Sequence, residues 1–211
     1  MSTPPSDPPE SHRLRKKEQT RARILANAIS LFRRNGIRGT RSVEIAEASD
    51  VSPATLFNYF ATKNDLAEAW LRGEIRSRFD LLAREAADRG IRSGLRACCR
   101  DLAEPSWAER DLRLEAWHSA GRAATQSLRH SRSLEVLIAL EQDRARLRAD
   151  LPARALAEMI AEAVEGGLIS GLRESTNAKE FTAGLRVRID LVLDGARKRN
   201  ERVSVSSLRR A

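Results

Sequence analysis

The stretch Arg41–Leu66, RSVEIAEASDVSPATLFNYFATKNDL, predicts two short helices joined by a tight turn and followed by a third helix. Ile45 and Val51 are apolar at a spacing that closes the first short helix over its neighbour. Ser52 offers a hydroxyl that can cap the next helix, and Pro53 suits its first position, where a missing N–H costs nothing. A second helix is therefore expected to start at about Ser52.

This second helix has an apolar face and a small, polar face. Leu56 and Phe60 lie four residues apart and are expected to face inward. The other face suits a DNA major groove, because Thr and Asn can hydrogen-bond base edges, Ala permits close approach and Tyr can bond a phosphate. We therefore expect DNA contacts from Ser52, Ala54, Thr55, Asn58 and Tyr59.

The third helix carries a further candidate contact. Thr62 and Asp65 have the spacing of a capping box, which puts Lys63 in the first turn of that helix. The helix dipole and the ammonium group both favour a phosphate there. Arg41 and Ser42, at the start of the first short helix, complete the set of expected DNA contacts.

The charge of the chain is concentrated beside this segment. Residues 13–41 hold ten Lys or Arg against Glu18 alone, a net charge of +9, whereas residues 42–211 carry +2 and residues 1–12 carry −2. A basic run by itself usually forms a solvated helix face or a flexible arm. Next to a helix suited to a DNA groove, it indicates counterion release on nucleic acid.

These residues resemble the helix-turn-helix of the TetR family of bacterial transcriptional regulators, whose motif has the form I-A-x-x-A-G-V-S-x-x-T-L-Y-x-Y-F-x-x-K-x-x-L. Asp50 stands at the usual turn glycine and Phe57 at a usual Tyr. Asp tolerates the left-handed conformation better than most residues, so the turn can form. The ten matching residues are Ile45, Ala46, Val51, Ser52, Thr55, Leu56, Tyr59, Phe60, Lys63 and Leu66.

The rest of the chain reads as all-α. Aromatic residues make up 4% of the 211 residues, so the core must consist mainly of Leu, Ile, Val and Ala. We expect a long first helix over 14–35, ended by Gly36, and later helices over 93–103, 106–121, 133–149, 152–172 and 178–199. The expected division is a disordered tail (1–12), a three-helix DNA-binding domain (13–62), a larger helical ligand-binding and dimerisation domain (63–200) and a flexible tail (201–211).

Apolar stripes on the last two expected helices indicate an interface. In the TetR family the last two long helices form a four-helix bundle across a two-fold axis, so the resemblance implies a homodimer. The alternative is a contact between these helices within one chain. The expected interface residues are Leu156, Ile160, Ala163, Gly167, Gly171, Phe181, Leu185, Ile189 and Val192.

The resemblance also implies a small-molecule effector, bound in the middle of the chain. Apolar cavities with a few polar groups are typical of such sites. Core packing is the alternative for every candidate residue. The candidates are Phe79, Cys98, Trp107, Trp117, His118 and Met159.

The sequence gives little support for a redox, metal or phosphate-binding site. The adjacent Cys98 and Cys99 lack the spacing of a redox or zinc site, the three histidines are scattered, and no phosphate-binding glycine loop is present. We expect no enzyme, metal or cofactor. No apolar run approaches the roughly 20 residues of a membrane span, and no signal peptide is evident, so a cytoplasmic location is expected.

The sequence thus favours a homodimeric regulator, most often a repressor in this family, that leaves a palindromic DNA operator when an effector binds. One alternative is a DNA-binding regulator or activator without an effector. Another is a basic helical protein that binds RNA or a membrane surface.

Overall fold

A computed structural model of the chain describes residues 9–120 and 131–197. The N-terminal helices are α1 (Pro9–Gly39), α2 (Ser42–Ala48), α3 (Pro53–Tyr59) and α4 (Lys63–Arg89). They are followed by α5 (Ile91–Ala108), α6 (Arg110–Ala120), α7 (Arg132–Asp143), α8 (Ala153–Glu174) and α9 (Ala178–Gly195). Helices account for almost all of the described ranges, and the prediction of an all-α chain is confirmed.

The described residues form two compact units. One comprises residues 9–74 and 109–120, and the other comprises residues 75–108 and 131–197. The first unit therefore extends into α4 and includes α6, whereas the sequence led us to expect a boundary after residue 62. None of the helices in the described ranges is both long enough and apolar enough to cross a membrane.

Helix α1 begins at Pro9, earlier than the expected start at Leu14, so residues 9–12 are helical rather than disordered. Gly36 interrupts it with φ +70° and ψ 166°, a conformation that glycine adopts readily, and one further turn ends at Gly39. The expected tails at residues 1–8 and 201–211 lie outside the described residues.

Two later helix ends differ from expectation. Helix α5 runs through Pro105, where we expected a break, because a proline in the last turn removes a single helical hydrogen bond. Helix α7 ends at Asp143 instead of continuing to residue 149. The Glu141 carbonyl accepts the amides of Arg146 and Leu147 at 3.0 and 3.2 Å, which closes the helix in a tight turn.

The larger unit is built around α8, which packs closely against α9. Gly171 allows this approach, since a Cβ added there would lie 2.3 Å from Cδ2 of the Phe181 ring. Gly167 faces Leu185 in the same way, with a distance of 2.7 Å from an added Cβ to the nearest Leu185 carbon. The close approach of α9 side chains to the α8 backbone therefore explains two glycines inside a helix, where glycine otherwise costs stability.

Replacing Gly171 with alanine should destabilise the protein by about 1–3 kcal/mol, because the new methyl group overpacks the Phe181 ring. Gly73, inside helix α4, provides the control, since a Cβ added there meets nothing within 4 Å. Gly73→Ala should instead stabilise its helix by about 0.5–1 kcal/mol. Urea unfolding of both variants measures the difference, and shifts of equal size and sign would contradict this packing.

Candidate nucleic-acid interface

The turn before α3 has the predicted geometry. Asp50 adopts φ +48°, so it supplies the left-handed residue at which the family motif has glycine. Ser52 is the N-cap of α3, with its Oγ accepting the Thr55 N–H at 3.1 Å, and Pro53 occupies the first turn. The prediction of a capped helix starting at Ser52 is confirmed.

Helices α2 and α3 are fixed to α1 by burial and by one amide side chain. Leu56 and Phe60 are buried, as their spacing predicted. Asn27 of α1 donates from Nδ2 to the carbonyl of Ala48 at 2.8 Å and to the Ser49 hydroxyl at 3.2 Å. The Asn27 side chain therefore pairs with a carbonyl at the end of α2 and holds the turn in place. Local sequence patterns do not reveal this contact.

The opposite face of α3 points to solvent. Ala54 and Asn58 are exposed, whereas Thr55 and Tyr59 are partly exposed. The Thr55 hydroxyl lies 2.8 Å from the Ser52 hydroxyl, so these two groups are oriented by each other. The face is thus small, polar and accessible, as a groove-reading helix requires. Contact of these residues with DNA stays a prediction.

Arg41 and Ser42 lie at the start of α2. The Arg41 N–H donates to Glu44 Oε2 at 2.9 Å, and the Arg41 guanidinium donates to Glu44 Oε1. These bonds lower the pKa of Glu44, with the backbone hydrogen bond as the largest cause. Arg41 is exposed and Ser42 is partly exposed, so both can reach a ligand.

Lys63 has a structural role that its local sequence does not indicate. Its Nζ donates to the carbonyls of Thr40 at 2.8 Å and of Arg38 at 3.3 Å, at the end of α1. An ammonium has three donors, so one hydrogen remains for a phosphate. The predicted capping box is confirmed, because the Thr62 N–H donates to Asp65 and the Asp65 N–H donates to the Thr62 hydroxyl.

A basic groove adjoins the solvent-facing side of α3. It has a volume of about 700 Å³ and lies between the N-terminal half of α1 and the end of α3. The run of positive charge found in the sequence therefore reaches the recognition helix at Tyr59. Its lining residues are His12, Arg13, Leu14, Lys16, Lys17, Thr20 and Tyr59.

Helix α6 is attached to the end of α1 by the carboxylate of Glu115. Glu115 accepts the backbone amides of Ile37 at 3.0 Å and of Arg38 at 2.8 Å, just after the kink at Gly36. These contacts join residues almost eighty positions apart, so no local pattern could indicate them. They tie α6 to the end of α1, next to the carbonyls that Lys63 holds.

Most of the residues expected at a dimer interface are used inside the single chain. The five large side chains among them are buried, and both glycines face α9. Ala163 and Val192 are partly exposed. Within one chain the apolar stripes thus pack α8 against α9, and their part in a dimer interface stays a prediction. The buried side chains are those of Leu156, Ile160, Phe181, Leu185 and Ile189.

The residues expected in an effector pocket are divided between the two units. Trp117 and His118 belong to the first, where the Trp117 ring is buried and the His118 Nδ1 donates to the Leu114 carbonyl at 2.6 Å. In the second unit Phe79 and Cys98 are buried, Met159 is exposed, and the Trp107 ring lies 5.8 Å from that of Phe181. Their role in binding an effector stays a prediction.

The adjacent cysteines are shielded. Burial is the largest cause that raises the pKa of both Cys98 and Cys99 to about 12. Because the thiolate is the reactive form, both thiols should resist iodoacetamide at pH 8 in the folded protein and react once it is unfolded in urea. Mass spectrometry gives the extent of labelling, and rapid labelling of the folded protein would contradict this environment.

Comparison with known families locates the same segment. The family model described as "Bacterial regulatory proteins, tetR family" matches residues 24–70. This range runs from the middle of α1 into α4 and contains the whole helix-turn-helix.

Two curated relatives match over part of the chain. An uncharacterized HTH-type transcriptional regulator, YvkB of Bacillus subtilis (strain 168), is 39% identical over 69 residues, which cover 33% of this chain and 36% of that protein. The HTH-type transcriptional regulator TcmR of Streptomyces glaucescens is 40% identical over 55 residues, which cover 26% of this chain and 24% of that protein. The matched segment thus spans about a third or less of these relatives.

Similarity to solved structures extends over most of the chain. The Thermus thermophilus repressor FadR, in complex with lauroyl-CoA, has a TM-score of 0.69 at 24% identity, covering 87% of this chain and 98% of FadR. The SmeT–triclosan complex has a TM-score of 0.52 at 16% identity, covering 86% and 93%. At these identities the likeness shows the fold. Residues 24–70 therefore carry the DNA-binding segment of the TetR family of bacterial transcriptional regulators, and the described part of the chain has the fold of these solved structures.

Proposed function

We propose that this protein is a homodimeric repressor that binds a palindromic operator through α3 and leaves it when a small-molecule effector binds. The observation that carries the proposal is the solvent-facing polar surface of α3, flanked at Tyr59 by the basic groove. Asn58 and Thr55 suit base edges, whereas the lysines and arginines of α1 suit phosphates. Arg41 and the remaining Lys63 donor would add phosphate contacts.

The proposed partner is a second copy of the chain. A two-fold symmetric dimer would bind two half-sites that form a palindrome. The outward faces of α8 and α9 support such a dimer, since they carry exposed apolar side chains beside glycines that leave room for close approach. This face differs from the buried stripes expected from the sequence. It consists of Met159, Gly166, Gly184, Val187 and Leu191.

Replacing Val187 with glutamate should raise the dimer dissociation constant by about a hundredfold, because a charge would be buried twice across the two-fold axis. Val136→Glu on α7 is the matched control, since both valines are 53% exposed. Sedimentation velocity measures the monomer fraction of each variant. A V187E protein as dimeric as V136E would remove this face from the interface.

Effector control is supported by FadR and SmeT, whose structures hold lauroyl-CoA and triclosan respectively. In the present chain, Glu115 ties α6 to the end of α1, so a shift of α6 would reach the DNA-binding helices. An effector causes release only if it binds the operator-free conformation more tightly.

Selection of random duplex DNA on the purified protein tests the proposal. We expect an inverted repeat whose half-sites are about one helical turn apart. Placed between a promoter and a reporter gene, the selected site should lower expression when the protein is present. A single asymmetric half-site would argue against the dimer, and increased expression would identify an activator.

A further inference from the structure

A second cavity lies within the larger unit, lined by residues other than the site residues predicted from the sequence. Its volume is about 430 Å³, and its walls come from the start of α5, the turn after α7 and the end of α9. Small-molecule sites in proteins typically measure roughly 300–1,000 Å³. The cavity is therefore large enough for a metabolite of modest size.

The cavity combines an apolar surface with an excess of positive charge. Ile91, Leu147 and Leu193 line it and are buried. One lining carboxylate, Glu141, faces a larger number of guanidinium groups. The lining arginines are Arg92, Arg96, Arg146 and Arg197.

Carboxylates around the cavity orient these arginines without exhausting their donors. Asp190 accepts Nε and Nη2 of Arg96 at 3.0 and 2.7 Å, and it also accepts Nη1 of Arg92 at 2.9 Å. Glu141 accepts Nη2 of Arg146. A guanidinium has five N–H donors, so Arg96 and Arg146 keep donors for an incoming anion.

The ion pair between Arg96 and Asp190 favours the charged form of both groups. The Arg96 hydrogen bond, the largest cause, lowers the pKa of Asp190, and that same bond raises the pKa of Arg96. The four lining arginines outnumber Glu141 and the two carboxylates paired with them, Asp190 and Asp194, by one, so the site has a small net positive charge.

The wall that carries Arg146 is held rigidly. The Arg148 N–H donates to the Ala196 carbonyl at 2.8 Å, and the Gln142 amide donates to the carbonyls of Arg148 and Leu151 at 2.8 and 2.9 Å. Ala145 occupies a left-handed conformation with φ +56°, which is unusual for a residue with a Cβ. These bonds therefore hold the backbone of the turn from which the Arg146 side chain extends.

We propose that this cavity binds a small organic anion, whose carboxylate or phosphate group pairs with Arg96 and Arg146 and whose apolar body contacts Ile91, Leu147 and Leu193. Planar guanidinium groups recognise such oxyanions with paired hydrogen bonds. The apolar contacts would select amphipathic anions over inorganic ones. That this anion is the effector rests on the proposed function, whereas its binding does not.

Thermal unfolding and isothermal titration of the full chain test the site with three probes: octanoate, octyl phosphate and octanol. We expect saturable stabilisation by octanoate or octyl phosphate, and the stronger of the two identifies the head group. Octanol should have no comparable effect, because it lacks the charge. Inorganic phosphate should bind more weakly, because it lacks the apolar body. Equal responses to octanol and octanoate, or no response to either anion, would overturn the proposal.

Two variants that break the same ion pair provide the sharpest test. Arg96→Gln should weaken binding of the preferred anion about tenfold or more, because a charge-assisted donor is lost. Asp190→Asn should leave that affinity unchanged or raise it, because it frees guanidinium donors. If the arginines only tie helices together, both variants would lose stability alike and bind the probe alike. Arg146→Gln replaces R96Q if that variant does not fold.

The effector role is measured separately on operator DNA. If octanoate binds through Arg96 and also releases the operator, both proposals stand. Octanoate binding without release would keep the anion site and remove its regulatory role. Release by octanoate that persists in both R96Q and R146Q would overturn this site and leave the repressor proposal intact.

Discussion

Replacing Asn58 and Tyr59 together with alanine is expected to weaken operator binding by about a hundredfold or more, since each good base or phosphate contact contributes roughly 1–3 kcal/mol. Asn58 is exposed on the outer face of α3, and Tyr59 lines the basic groove. Neither side chain belongs to the buried surface that holds α3 on α1. The double variant should therefore lose DNA affinity without losing its fold.

Fluorescence anisotropy with the selected operator measures this loss, and circular dichroism checks the fold. Asn35→Ala is the matched control, because Asn35 is exposed on α1 outside the recognition helix. The control should bind the operator as the wild type does. An N58A/Y59A protein with wild-type affinity would show that α3 does not read the operator.

Replacing Arg113 with alanine should destabilise the protein by about 2–4 kcal/mol, because a buried cation would leave its carboxylate partners behind. The Arg113 side chain is only 4% exposed. Its guanidinium donates to Glu74 Oε2 at 2.5 Å and to Glu109 at 2.9 Å, and it lies 5.1 Å from the Trp70 ring. Glu74 is about one third exposed, so water lowers the expected cost below that of a fully buried pair.

This effect should appear as a lower midpoint of urea unfolding. Arg76→Ala provides the control, since Arg76 is an exposed arginine of α4, and its replacement should change stability by no more than about 0.5 kcal/mol. If R113A were as stable as R76A, the pairs of Arg113 would contribute nothing to the fold.

The features that the sequence predicted correctly depend on short-range contacts. Ser52 caps α3 through the amide three residues later, and Thr62 and Asp65 satisfy each other's backbone in the same way. Asp50 turns the chain by its own φ angle. These contacts join residues only a few positions apart, so a short family motif contains both partners.

The features that the sequence did not reveal depend on partners far along the chain. Glu115 accepts amides at the end of α1, and Lys63 donates to the carbonyls of Arg38 and Thr40 at the same end. The stripe that includes Phe181 was recognised as apolar, but periodicity does not say which surface covers it. The arginine-lined cavity likewise exists only once α5, α7 and α9 meet.

The specificity ratio tests the central claim most directly. The dissociation constant of the purified protein is measured at physiological salt for the selected operator and for a scrambled duplex of equal length. If α3 reads base edges, the operator should bind at least about a thousandfold more tightly. Equal and strongly salt-dependent affinities for both duplexes would instead describe a basic helical protein that binds nucleic acid by charge alone.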